Sequence, residues 1–113
     1  MSGISVRNGG ERDVLVELSG EFDLHDLQDL RAALGGAASS GRAAMVDLSG
    51  VTFLDVGTTR ELAVRSWLHA HQMTLHSPSP AVHASVAACG LESWFDFRVC
   101  AGDVDGAALP GTT

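Results

Sequence analysis

Residues 53–62, Phe-Leu-Asp-Val-Gly-Thr-Thr-Arg-Glu-Leu, bring a carboxylate, a glycine and two neighbouring hydroxyls to the end of an apolar run. Asp55 at such a turn invites a phospho-acceptor reading. A receiver-type acceptor, however, needs neighbouring acids for a divalent cation and a lysine to sense the phosphate, and the chain contains no lysine. Thr58 and Thr59 are alternate acceptors, because a phosphate at a helix N-terminus meets converging N–H donors and the positive end of the dipole. The architectural reading is simpler. Thr58-x-x-Glu61 has capping-box spacing, in which hydroxyl and carboxylate satisfy each other's orphan backbone donors. Asp55 then fixes the turn by accepting backbone N–H bonds.

The other reactive side chains do not assemble in the sequence. His69, His71, His76 and His83 lie close together, but residues two apart on a helix diverge, so solvated surface histidines are expected and no metal. Cys89 and Cys100 show no Cys-x-x-Cys spacing and read as buried thiols acting as small hydrophobes. There is no nucleophile elbow, His-Glu-x-x-His helix, phosphate loop or dinucleotide fingerprint. Ser19-Gly20 and Ser49-Gly50 are explained by turn chemistry. Neither an enzyme nor a cofactor is expected.

The elements that must carry these residues follow from periodicity. Ile4 and Val6 alternate with polar residues up to Asn8-Gly9-Gly10, a hairpin turn, and residues 14–18 return as the second strand. Leu27, Leu30 and Leu34 have helical spacing after Asp23 and Asp26, acids that suit a helix start. Residues 35–41 (GGAASSG) are expected to break that helix. Residues 43–48 read as a short buried strand of a parallel sheet. A helix from Thr58 to about His71 is expected to turn Ala63, Val64, Trp67 and Leu68 toward the sheet. Residues 73–76 form another strand. Ser79 as N-cap, Pro80 at the first position and Gly90 as terminator then bound a helix striped by Val82, Val86 and Cys89. Residues 95–100 form a last strand. After the hairpin, helix and strand alternate, which predicts an α/β domain on a largely parallel sheet over residues 1–100, followed by a flexible tail at 101–113. In such sheets sites form at the carboxyl ends of strands, where the turn at 54–58 lies.

Composition narrows the partners. The net charge is −7, and the seven basic residues are all arginine and scattered, so no clustered surface exists to displace counterions from DNA or RNA. No stretch approaches the roughly 18 to 20 apolar residues of a membrane span, and the first ten residues lack signal-peptide regions, so a cytoplasmic protein is expected.

Three blocks, VELSGEFDLHDLQDLRAAL, AMVDLSGVTFLDVGTTREL and LHSPSPAVHASVAACGL, resemble in order and spacing those of the STAS domain, from about Val14 to Leu91. The bacterial stand-alone anti-sigma factor antagonists are the nearest type. The resemblance implies a binding module without catalysis: the strand-end loop and the following helix dock on an anti-sigma factor of GHKL kinase type and release the sigma factor. It also implies a switch, a serine or threonine after the loop aspartate whose phosphorylation adds about −1.5 to −2 charge and ends the interaction. Asp55 matches the aspartate, but Val56 stands in the acceptor place and carries no hydroxyl, with Gly57 and Thr58 where Ser and Gly are usual.

The docking residues so implied are Asp55, Val56, Gly57, Thr58 and Thr59, then Arg60 and the outward-facing Glu61, with Asp23 at a neighbouring strand end. The standard switch is absent, and the protein is expected as a monomer or weak homodimer. The alternative is a non-switching STAS scaffold, bound to other STAS proteins in a stressosome-like assembly or to transporter subunits of a lipid-transport ATPase.

Overall fold

The computed structural model describes residues 2–8 and 13–98. Two strands, β1 (Gly3–Asn8) and β2 (Asp13–Phe22), pair antiparallel, with Val6 opposite Val16. The Asn-Gly-Gly turn expected between them falls at its glycines outside the described residues. A 3-10 turn (Leu24–Asp26) leads into α1 (Leu27–Ala38), followed by β3 (Ala43–Leu54), α2 (Val56–Leu68), β4 (Met73–His76), α3 (Pro80–Cys89) and β5 (Phe97–Arg98). The sheet order is β1-β2-β3-β4-β5, parallel from β2 onward. This is the expected α/β domain with an opening hairpin.

The order has a direct consequence for layering. When parallel strands succeed one another along a sheet, right-handed crossovers place every connecting helix on the same face. Burial follows that rule. Val14, Val16 and Leu18 of β2, Ala44, Val46 and Leu48 of β3, and Met73 and Leu75 of β4 share one core with Leu30 and Leu34 of α1, Leu62 of α2, and Val82 and Val86 of α3. The alternate residues, among them Leu15, Glu17, Met45, Asp47 and Thr74, lie on the other face and are only half-buried.

Several sequence expectations need correction. The helix before β3 is not broken at Gly35: α1 runs to Ala38. Glycine costs about 1 kcal/mol relative to alanine inside a helix, but Leu34, Ala37 and Ala38 are buried around the pair and hold it helical. α2 begins at Val56, two residues earlier than expected, and turns Thr58, Thr59, Leu62 and Ala63 inward. Of the stripe expected to face the sheet, only Ala63 does so; Val64, Trp67 and Leu68 are exposed. Hydrogen bonds in the first turn of α2 set its rotation and override the apolar stripe. The last strand is confined to Phe97–Arg98 among the described residues; Cys100 and the tail at 101–113 fall outside them. Cys89 is half-buried. β4 and α3 match the sequence reading at both ends, with Ser79 accepting from the Val82 N–H and Gly90 closing the helix at φ 67°.

β3 is longer than expected because it passes through two bulges. Glu17 pairs with Asp47 but Ser19 with Gly50, and Gly20 pairs with Val51 but Glu21 with Phe53. Each shift inserts one extra β3 residue, which bends the strand and re-aims Val51 and Leu54 into the core. Gly50 is required at the first bulge: a Cβ there would lie 3.0 Å from the Ser19 Cβ and 3.2 Å from the Leu18 carbonyl oxygen. Gly50→Ala is expected to force β2 and β3 apart and destabilise the domain by about 1–3 kcal/mol in urea unfolding.

Candidate functional site

Parallel pairing in register brings the ends of β2 and β3 side by side, with Phe22 opposite Leu54. The residue after each strand is an aspartate. Asp23 caps the 3-10 turn: its side chain accepts from the His25 N–H at 2.9 Å, and Asp26 returns a bond by accepting from the Asp23 N–H at 2.9 Å. The capping box expected at Thr58 and Glu61 is thus found here. The Ser2 hydroxyl and then the Asp23 N–H hold the Asp26 carboxyl below its ordinary pKa.

Asp55 is the true N-cap of α2. Its Oδ1 accepts from the Thr58 N–H at 2.8 Å. Its N–H donates to the Phe22 carbonyl at 3.1 Å, and its carbonyl accepts the Thr59 N–H at 2.9 Å. The Thr59 hydroxyl donates to the same carbonyl at 2.8 Å, and the Thr58 hydroxyl reaches the Asp23 carbonyl at 3.4 Å. Thr58 and Thr59 are each 0% exposed. Their expected place on the docking surface is therefore corrected: they hold the turn from inside, and the fold presents neither hydroxyl to a kinase.

Glu61, expected on the outer side, is also corrected. It is 8% exposed. Arg31 of α1 donates to both its oxygens, at 2.9 and 3.0 Å, and Arg65 donates to Oε2 at 2.6 Å. These bonds, Arg31's first, hold the Glu61 carboxyl below its ordinary pKa against the opposing effect of burial. The cluster ties α1 to α2 and takes three of the roughly four acceptor sites of the Glu61 carboxylate.

Beside the exposed Asp23, the strand ends present large apolar side chains. Val56, at the first position of α2, is 59% exposed, Phe53 50% and Leu24 69%. Gly57 is half-buried, where a Cβ would sit 3.7 Å from Leu27. Arg60 is exposed one turn along α2 and faces a different slot, beside Val64 and Trp94. A groove of about 540 Å³ runs from Phe53 and Val56 along the Ala81, Ala84, Ala88 and Cys89 side of α3. The sequence reading missed Phe53, Leu24 and this α3 wall; the small residues opposite Val82 and Val86 were their visible signal.

The groove exists because β3 outruns β4, whose pairing stops at Asp47–His76. Among the described residues the upper half of β3 has no strand on that side, and hydroxyls of α3 and its N-cap take its carbonyls instead. Ser79 donates to Val51 at 2.6 Å and Ser85 to Leu54 at 3.0 Å.

No catalytic arrangement accompanies these groups among the described residues. Nor is there a group of His, Cys, Asp and Glu able to hold a metal. His71 and His83 are exposed as expected, whereas His76 is half-buried with its Nε2 2.7 Å from the Thr74 hydroxyl. Among the described residues no helix is long and apolar enough to cross a membrane.

Two outcomes test this geometry. Asp55→Ala is expected to cost about 1 kcal/mol through the lost cap, with Asp55→Asn close to wild type, in urea unfolding. Glu61→Gln should cost about 1–2 kcal/mol near neutral pH, a value reduced by solvent screening of Arg31. Because the folded pKa of Glu61 is depressed, its contribution is present above the ordinary value of 4.5 and is lost as pH falls through the folded pKa. The gap between wild type and Glu61→Gln should therefore close on acidification below that value.

Comparison with known proteins places the architecture. The family model described as "Mlab, STAS domain" matches residues 5–98. An anti-sigma factor antagonist from Mycobacterium paratuberculosis superposes with a TM-score of 0.75 at 23% identity, covering 95% of this chain and 93% of that one. The anti-sigma factor antagonist SpoIIAA in its unphosphorylated form gives 0.62 at 22% identity, covering 98% and 99%. The phosphorylated form of SpoIIAA, described as a Bacillus cell fate determinant, gives 0.63 at 19% identity, covering 92% and 98%. At these identities the likeness is one of fold. No curated protein sequence matches the chain. The family match over most of the chain carries the assignment: this protein belongs to the STAS domain family.

Proposed function

We propose that this chain is a non-catalytic, cytoplasmic protein-binding module that acts as an anti-sigma factor antagonist, docking through the ends of β2 and β3 on an anti-sigma factor of GHKL kinase type. The observation that carries this reading is the exposure of Val56, 59%, directly beside Asp55. A valine is placed in water at the first turn of a helix whose inward positions are filled by polar threonines. With Phe53 and Leu24 it offers an apolar centre ringed by Asp23 and Asp55, the arrangement of a protein interface. The overall fold shared with two antagonists of known structure supports the same partner class.

Docking on this surface is not switched by phosphate at the usual place. Val56 has no hydroxyl, and the nearby Thr58 and Thr59 hydroxyls are buried. Phosphorylating either would require opening the first turn of α2 and breaking the bonds to Asp55 and Asp23.

A second reading, a permanent subunit of a larger STAS-containing or transporter assembly, is favoured by the same Val56. A fixed scaffold needs no switch.

The test uses Val56→Asp. An acid at the first position of a helix complements the dipole, so the fold should hold while the apolar centre acquires a charge. Titration calorimetry with the anti-sigma kinase encoded by the same genome should show at least about tenfold weaker binding, roughly 1.4 kcal/mol. Wild type incubated with that kinase and ATP should gain no phosphate by intact mass, and Val56→Ser should become a substrate. Unchanged binding by Val56→Asp would remove the docking surface, and phosphate mapped to Thr58 or Thr59 in wild type would restore a switch.

A further inference from the structure

A second apolar surface lies on the outer side of α2, away from the strand ends. Trp67 is 63% exposed and Trp94, in the turn before β5, 43%. Their ring centroids are 5.8 Å apart and the planes tilted by 56°. Val64 and Leu68 lie alongside at 40% and 50% exposure. Trp67 is eleven residues beyond Val56, about 16 Å along the helix at its usual rise, so the patch is centred away from the proposed docking residues, although its slot begins at Arg60, one turn beyond Val56 on the same side of α2.

The shape of the patch is specific. The two tryptophans form a ridge, and clefts flank it on both sides. One is a slot of about 260 Å³ lined by Arg60, Ala63, Val64, Leu91 and Trp94. The other, of about 220 Å³, opens between Trp67, Met73 and Phe95. A ridge and a slot on one surface are what an isologous contact requires, since a two-fold axis between them seats each copy's ridge in the other's slot.

Charge and area agree with this occupant. Arg60 is the slot's one charged residue, is exposed, and has no ion-pair partner among the described residues. An entering indole face would meet that guanidinium as a cation–π partner. The exposed parts of Trp67, Trp94, Val64 and Leu68 amount to on the order of 400 Å². Two such faces with their rims bury about 1,000 Å², the lower bound for a specific interface. A net charge of −7 on each copy opposes the contact. The outcome is a weak dimer that salt strengthens by screening.

We propose that this face pairs with a second copy of the chain across a two-fold axis, Trp67 of each protomer seated between Arg60, Val64, Leu91 and Trp94 of the other.

Sedimentation equilibrium of the full chain from about 10 μM to about 1 mM, the range of weak association, reads the proposal directly. Wild type should pass from monomer to dimer within that range, at lower concentration when salt is raised. Trp67→Ala should weaken the dimer at least tenfold, Trp67→Phe less, and Arg60→Glu should weaken it without touching the core. Val56→Asp, on the other surface, should leave dimerisation unchanged, which separates this proposal from the docking one. A chain that stays monomeric throughout, as it would if the patch were covered by its own tail or reserved for another protein, overturns the proposal. So does a dimer that survives both Trp67→Ala and Arg60→Glu, or one that Val56→Asp abolishes.

Discussion

Asp55 joins the sheet to the helix layer, and the rest of the surface depends on how it does so. Its N–H completes the β2–β3 ladder on Phe22, its carboxylate caps α2 through Thr58, and its carbonyl takes both the N–H and the hydroxyl of Thr59. One residue thus ends a strand and starts a helix with no intervening loop. That economy fixes the rotation of α2 about its own axis from the first turn. Once Thr58 and Thr59 are committed inward, Val56 must face solvent, and so must Val64, Trp67 and Leu68 farther along. The exposed apolar residues of α2 follow from a hydrogen-bonding decision at one end of that helix.

The layering explains where partners can approach. Because the crossover helices share one face, the other face of the sheet stays open, with Leu15 and Met45 half-buried on it. Apolar groups also remain accessible at the strand ends and on the outer sides of the helices. The upper half of β3 is the clearest case. It extends past β4 into a region where its carbonyls would be unpaired, and an unpaired buried carbonyl costs as much as a lost hydrogen bond. Ser79 and Ser85 remove that cost from the α3 side. Hydroxyls on short side chains let α3 lie close, and the alanines around them leave a groove open to Phe53 and Val56. The threonine hydroxyls at this end are consumed in building the surface, so what remains for a visitor is apolar contact beside the exposed Asp23 and the half-buried Asp55. That is the chemistry of binding.

Much of this was legible in the sequence, and the failures have identifiable causes. Ser79-Pro80 and Gly90 bound α3 correctly because cap, φ restriction and left-handed terminator are all local effects. The hairpin and the helix–strand alternation were readable for the same reason. α2 was misread at its start because two capping patterns overlap three residues apart. Asp55-x-x-Thr58 wins over Thr58-x-x-Glu61, since only the former lets the helix begin directly where β3 is pinned to Phe22. Glu61 was then free to look like an exposed residue, and nothing local announces that Arg31, thirty residues earlier, will enclose it. The bulges of β3 were invisible because they exist only relative to β2. Trp67 was turned the wrong way because Ala63, Val64, Trp67 and Leu68 make a genuine helical stripe. Periodicity finds such a stripe but does not say whether the sheet or something outside the molecule covers it.

The Glu61 cluster bears on how the two surfaces of α2 relate. It sits midway along the helix, between Val56 at one end and Trp67 at the other, and it clamps α2 to α1 through Arg31 while Arg65 braces it within the helix. A helix held at its cap by Asp55 and at its middle by a carboxylate shared between two guanidiniums has little freedom to rotate or slide. Contacts made at one end are therefore not transmitted as motion to the other; the helix acts as a fixed spacer. Val56 and Trp67 are thereby held at a fixed spacing of about 16 Å along the outward side of one helix. Affinity at each end is then set by its own apolar contacts.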